Sequence, residues 1–323
     1  MGGSNAIATG LSALVDILRR EKRRGGDTIA LSAESERLLQ AMPGAFLKAA
    51  PKAGRRAESR PAGAPETAST GRGAKAAIPP TAARSVAPTS AAGQKFPIPA
   101  VPEEERDEAW ARAQLNAIFK AVKHCPECRG LGSLFETVVF AAGNPQAEIV
   151  FVGEAPGREE EKARRPFVGP AGKKLDQVLK AMGLPREQVY ITNVVKYRPK
   201  KGDGRFQGAG NRPPQQDEMA ASLPYLRAEI EVVRPRVIVA LGRTAAEGLL
   251  EKGGSLARFR NAEHEFEGIP VIVTYHPSYL LRQESEADPS AALHAKRLVW
   301  EDMLRVMDRV GLPVTAKQRA YFL

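Results

Sequence analysis

Few residue types in this 323-residue chain can do chemistry, which makes their positions informative. It has four histidines and two cysteines. His276 stands directly before Pro277-Ser278, His124 adjoins a cysteine, and His264 and His294 lie in polar stretches without a motif. An imidazole can donate, accept or relay a proton near neutral pH. Asn193 offers an amide, which both donates and accepts and so can read a ligand edge presenting both. Among the carboxylates, Glu154 lies in the run VGEAPG, and Glu160 is the middle of Glu159-Glu160-Glu161. Cys125 and Cys128 form a C-x-x-C pair beside His124, a weak metal pattern. Two familiar chemistries are excluded by spacing. No G-x-G-x-x-G follows a strand, and Gly172-Lys173 lacks the other residues of a phosphate loop, which argues against a nucleotide cofactor. The nucleophile elbow G-x-S-x-G is absent as well.

The elements that must position these residues are short apolar runs alternating with amphipathic stretches. The runs are 147–153, 188–195, 236–242 and 270–278; helical stretches are expected over 103–123, 170–182, 214–233, 243–252 and 290–310, with Gly183 as a stop signal. β-rich runs each followed by a helix or turn predict βαβ units, hence a parallel sheet covered on both faces. Ligands of such sheets sit outside the carboxyl ends of the strands. The residues found there are Glu154-Ala155-Pro156-Gly157, Asn193, Gly242-Arg243-Thr244 and His276-Pro277-Ser278.

Composition sets the broader frame. The net charge of +11 and pI near 9.7 favour a polyanionic partner. Residues 1–100 hold 15 Lys+Arg against 7 Asp+Glu, and 158–212 hold 14 against 6, so the excess gathers in an N-terminal arm and on one part of the folded region. Between 51 and 94, Ala, Pro, Gly, Ser and Thr make up 32 of 44 residues, too little apolar surface to offset chain entropy. The expected organisation is a short helical segment over 1–42, a disordered basic linker over 43–102, and a catalytic domain over 103–323. Two cysteines suit a reducing compartment. The absence of a membrane-length apolar run or secretory leader predicts a cytoplasmic protein with no membrane partner.

Five motifs then occur in order: VGEAPGREEEKARRPFVGPAGKKLD (152–176), ITNVVKYRP (191–199), NRPPQQDE (211–218), ALGRTA (240–245) and TYHPSYLLR (274–282). Together they resemble the uracil-DNA glycosylase superfamily, and most closely its family 4, over about residues 115–310. The resemblance implies a three-layer αβα sandwich around a central four-stranded parallel sheet. It also implies an enzyme that flips uracil out of DNA and hydrolyses its N-glycosidic bond. The site it implies places Phe167 against the flipped base, Asn193 on its edge, Ala155 beside it, and His276 as donor to the leaving anion. Glu154 matches the motif position whose backbone lines the pocket, and Glu160 the carboxylate that handles water. Gly157, Gly172, Arg198, Arg212 and Ser278 are expected to contact DNA, with Leu280, Leu281 and Arg282 forming the inserting loop.

The chain departs from family 4 in two places. That family holds a [4Fe–4S] cluster with four cysteines; here Cys125 and Cys128 match the first pair, but Tyr197 and Ser222 occupy the other two positions. No cluster and no small-molecule cofactor is expected, with a relict metal on Cys125 and Cys128 as the alternative. The second departure is the insertion KGDGRFQGAG (201–210), which contains no histidine and so excludes the covalent trap of a related branch. A monomer acting on uracil-containing DNA is the expectation. Hypoxanthine or xanthine as the excised base, or an inactive DNA-binding member, are the alternatives, and the partner of the N-terminal arm stays unassigned.

Overall fold

The structure, a computed structural model, describes residues 96–323 except 206 and 287. The readings for 1–42 and for most of 43–102 fall outside the described residues. In chain order come α1 (Glu108–Lys123), α2 (Pro126–Gly130), β1 (Leu134–Val138), β2 (Ala142–Gly143) and β3 (Ile149–Gly153). Next are α3 (Arg158–Ala163), α4 (Pro170–Met182), β4 (Tyr190–Asn193), β5 (Tyr197–Pro199), α5 (Gln216–Val233) and β6 (Val237–Leu241). The remainder comprises α6 (Arg243–Leu250), α7 (Leu256–Arg260), β7 (His264–Phe266), β8 (Ile269–Thr274), α8 (Pro277–Ser285), α9 (Pro289–Val310) and α10 (Ala316–Arg319).

The central sheet has six strands, in the order β2-β4-β3-β6-β8-β7. Its inner four, β4, β3, β6 and β8, are parallel and correspond to the four apolar runs. The expected four-stranded sheet is thus extended at each edge by a short antiparallel strand, β2 against β4 and β7 against β8. Neither edge strand exceeds three residues, too short to leave a period-two pattern in the sequence. The inner strands are apolar throughout because both faces are covered. On β3, Val150 and Val152 join Ile118 and Val122 of α1 and Leu226 and Ile230 of α5. Ile149 and Phe151 join Leu175 and Leu179 of α4 and Met303 and Met307 of α9. Three layers result, with a core on each side of the sheet.

Local signals set the helix ends. Asp107 caps α1 by accepting from the Trp110 backbone N–H at 2.7 Å. Gly183 closes α4 at φ 82°, as its position in the sequence predicts. The chain leaves β3 toward β4 on one side and returns through α5 to β6 on the other. This reversal opens a crevice at the carboxyl ends of β3 and β6.

Candidate active site

The floor of that crevice is Gly153, the last residue of β3, paired in register with Asn193 at the end of β4. A Cβ on Gly153 would lie 2.3 Å from Asn193 Oδ1 and 2.6 Å from Phe167 Cζ, so only glycine lets this amide and this ring meet. Asn193 is 2% exposed and Phe167 5%. Phe167 adopts a left-handed backbone, φ 51°, which costs a bulky residue energy and persists only where its surroundings hold it. One constraint is Gly172 of α4, whose Cβ would lie 1.8 Å from the Phe167 carbonyl oxygen.

The His276 ring centroid lies 5.9 Å from that of Phe167. His276 is the N-cap of α8, and its Nδ1 accepts from the Ser278 backbone N–H at 3.1 Å. The Ser278 hydroxyl lies 2.8 Å from the same nitrogen and in turn accepts from Arg282 at 3.2 Å. A nitrogen that accepts from N–H carries no proton, so the hydrogen resides on Nε2. Burial, aided by the charge of Arg282, lowers the pKa of His276 to about 4. At neutral pH it is an uncharged imidazole offering one N–H. Space for it beside β6 comes from Gly242, at φ 94°, whose Cβ would lie 3.0 Å from that of His276.

The two candidate carboxylates differ in environment. Burial raises the pKa of Glu154, opposed by a hydrogen bond with Thr244 and by the charges of Arg282 and Arg243. Glu160 Oε1 accepts from the Gly169 backbone N–H at 2.9 Å, tying α3 to the turn between Phe167 and α4. Its Oε2 and the Asn211 Nδ2 lie 2.7 and 2.8 Å from where a Gly157 Cβ would be. One Glu160 oxygen therefore braces the aromatic loop while the other stays beside the β3 turn with an amide donor. Asn211 was not singled out from sequence, although it lies in one of the five motifs; Thr244 was named only as a residue following a strand. Ala155 is half-buried behind Glu154 and packs on the α1/α5 core.

Several expected DNA contacts have other work. Arg198 is 4% exposed and donates to Glu161, Asn211 and the Gly208 and Gly210 carbonyls, so it anchors the insertion and is not free for phosphate. Arg212 forks onto Glu218 at 2.8 and 2.6 Å and donates to the Lys200 and Ser133 carbonyls. Gly172 is buried against Phe167 and serves packing. Leu280 is 4% exposed and belongs to the α4/α9 core, which leaves half-buried Leu281 and exposed Arg282 at the surface of α8. Gly157 and Ser278 are half-buried at the crevice, while Lys162, Arg164, Arg165, Lys173 and Arg243 are exposed on the elements around it. A sequence reports a cation's sign and not its burial, which is why Arg198 and Arg212 misled.

Beneath Asn193 lies a fully buried ion pair that sequence did not single out. Lys196 Nζ meets Glu229 Oε1 at 2.5 Å and donates to the Thr192 hydroxyl and the Asn193 carbonyl at 2.6 and 2.7 Å. Glu229 Oε2 accepts from Thr192 and Tyr190.

The corner matching a cluster site holds two thiols, a phenol and a hydroxyl. Cys128 Sγ donates to the Ala221 carbonyl at 3.6 Å and lies 3.8 Å from Ser222 Oγ. Tyr197, 2% exposed, donates its hydroxyl to the Val122 carbonyl at 2.5 Å and fills the third ligand's place. Such a donor set does not fit a four-thiolate cluster. Among the described residues, no group of three or more His, Cys, Asp or Glu could hold a metal ion.

A neutral imidazole donor, a reading amide and an aromatic wall, brought together at the carboxyl ends of the strands, are the equipment of a hydrolase that splits a base from its sugar. The profile of the Uracil DNA glycosylase superfamily matches residues 140–304. A type-4 uracil-DNA glycosylase of Thermotoga maritima is 42% identical over 191 residues, covering 58% of this chain and 91% of that protein. One of Sulfurisphaera tokodaii is 41% identical over 220 residues, 65% of this chain and 90% of the relative. A type-5 enzyme of Pyrobaculum aerophilum is 33% identical over 155 residues, 43% and 64% of the two chains. The chain belongs to the uracil DNA glycosylase superfamily, and is a DNA-repair glycosylase that hydrolyses N-glycosyl bonds. No helix among the described residues is long and apolar enough to cross a membrane.

Proposed function

We propose that this chain flips uracil out of DNA and hydrolyses its N-glycosidic bond, leaving an abasic site. In this reading the catalytic domain spans 103–323 and works as a cytoplasmic monomer without a metal cluster or small-molecule cofactor. The observation that carries it is His276, held neutral with Nε2–H available and set against Phe167. A base within a duplex is out of reach, so the nucleotide must leave the stack, and Phe167 gives the extruded base a plane to lie on. Uracil presents an acceptor at O4 and a donor at N3, which the Asn193 amide matches; cytosine presents the reverse.

When the bond breaks, its electron pair leaves with the base and spreads onto O2, while the sugar becomes cationic. A pre-aligned neutral N–H stabilises that developing anion without first having to give up a charge. Water then adds to the sugar carbon, and the proton it loses is taken up by the uracil anion, so that free uracil and an abasic sugar result. Glu160 Oε2 and Asn211 Nδ2 are the groups placed to hold that water, while Glu154 lines the pocket. Leu281 fills the gap left by the base. Arg282, Ser278, Gly157 and the exposed cations around the crevice take the phosphates.

The test incubates the protein with oligonucleotides containing uracil, hypoxanthine, xanthine or no lesion, followed by alkali. Cleavage confined to the uracil strand is the expected result, with His276→Ala slowing it by about a hundredfold or more. No cleavage of any strand overturns the enzyme reading. Preferential cleavage at hypoxanthine or xanthine overturns the assigned base, and uracil cleavage unaffected by Asn193→Ala overturns the assigned reader.

A further inference from the structure

Beside the pocket stands a stack that this chemistry leaves unused. Tyr275, the first residue after β8, lies against Tyr279 of α8 with ring centroids 4.6 Å apart and planes 18° from parallel. The Arg260 guanidinium also packs on the Tyr275 ring, 4.8 Å from its centroid. Arg260 is itself fixed by two hydrogen bonds to Asp302, at 2.9 and 3.0 Å, and one to the Leu298 carbonyl at 3.0 Å. Asp302 is 3% exposed and so is anchored in the body of the domain. The result is a pile rooted in α9 and ending at Tyr279, over whose ring no second ring or cation stacks among the described residues. Tyr279 is half-buried, immediately follows Ser278, and precedes Leu281 and Arg282 on the same short helix.

We propose that Tyr279 is a stacking platform for an unpaired nucleobase next to the extruded one, so that the protein reads single-stranded DNA beside its target. The inference rests on the DNA-glycosylase reading above and adds a substrate preference to it. Nearly parallel rings continue naturally into another flat π-system, and every base supplies one whatever its sequence. In a duplex the neighbouring base is occupied by its partner and its own stack; in a single strand it is free. Arg282 and Arg243, both exposed, supply the cations that would track the strand past the platform.

The test uses the full chain and oligonucleotides carrying a stable abasic-site analogue with 2-aminopurine on its 5′ or its 3′ side. Binding is expected to quench the fluorophore on one side only, in a single strand more than in a duplex. Tyr279→Leu should abolish the quench and weaken single-strand binding about tenfold, the order expected for one stacked base, while Tyr279→Phe retains both. The preference for single-stranded over double-stranded analogue should shrink in Tyr279→Leu, a change that mere loosening of α8 would not produce. A wild-type protein that excises uracil but quenches on neither side, or whose quench survives Tyr279→Leu, overturns this proposal alone. A protein that neither excises uracil nor binds the analogue overturns the proposed function, and this inference with it.

Discussion

Replacing Gly153 with alanine tests the site at its tightest point. The added methyl would arrive 2.3 Å from Asn193 Oδ1 and 2.6 Å from Phe167 Cζ, where ordinary contacts require at least 3.4 Å. One or both groups must therefore retreat by roughly 1 Å, and misplacement on that scale costs a reaction about a hundredfold. Neither group can move freely. Asn193 is fixed by the strand register and by Lys196 on its carbonyl, and Phe167 is pinned against Gly172. The strain itself should cost about 1–3 kcal/mol of stability. Single-turnover cleavage of a uracil oligonucleotide would measure the first effect and urea denaturation the second. Stability lowered as expected but excision within about threefold of wild type would show that the juxtaposed amide and ring are not the base pocket, and would refute the reasoning.

Other consequences concern protons, the buried pair and the thiols. His276 has a pKa of about 4 in the fold against 6.5 ordinarily, so below pH 6.5 the unfolded chain takes up a proton that the folded one refuses. The stability thereby lost grows to about 3 kcal/mol by pH 4. Glu154 works in the opposite sense, since its raised pKa lets protonation relieve a cost as pH falls, so the His276 share is read as wild type minus His276→Gln in urea titrations. Excision should show no His276 ionisation near pH 6.5; a loss centred there that His276→Gln removes would contradict the neutral donor. Lys196→Met strands the Glu229 carboxylate and should cost about 3–5 kcal/mol, largely recovered in Lys196→Met/Glu229→Leu; equal losses in both would show that the pair does not couple. The purified protein should be colourless, and Cys125→Ser/Cys128→Ser should still excise uracil. About four irons per chain, lost with activity in the double variant, would be the contrary result.

How much could be read in advance depended on what each residue's role requires. The parallel strands were legible because burial on both faces leaves unbroken apolar runs, and the residues at their carboxyl ends then gave Asn193 and His276 almost directly. Phe167 came from its motif, but its left-handed backbone and its contact with Gly153 depend on packing that no local pattern encodes. The edge strands were too short to register. The Arg260–Tyr275–Tyr279 pile joins α7, the end of β8 and α8, segments whose adjacency exists only after the sheet has formed. Glu160 illustrates a middle case: its acidic character was visible, its hydrogen bond to Gly169 was not.

The insertion at 201–210 is closed at its neck. Arg198 binds the Gly208 and Gly210 carbonyls, Gln207 reaches back to the Pro199 carbonyl at 3.0 Å, and the Lys201 N–H donates to Gln207 at 2.7 Å. Beyond the neck, Gly202, Asp203 and Arg205 are exposed. A loop clamped in this way transmits little from its tip to its base, so length and composition there can drift without disturbing β5 or α3. It is a natural splice point for a tag, a fluorophore or a second binding module, mounted beside the crevice yet mechanically insulated from it.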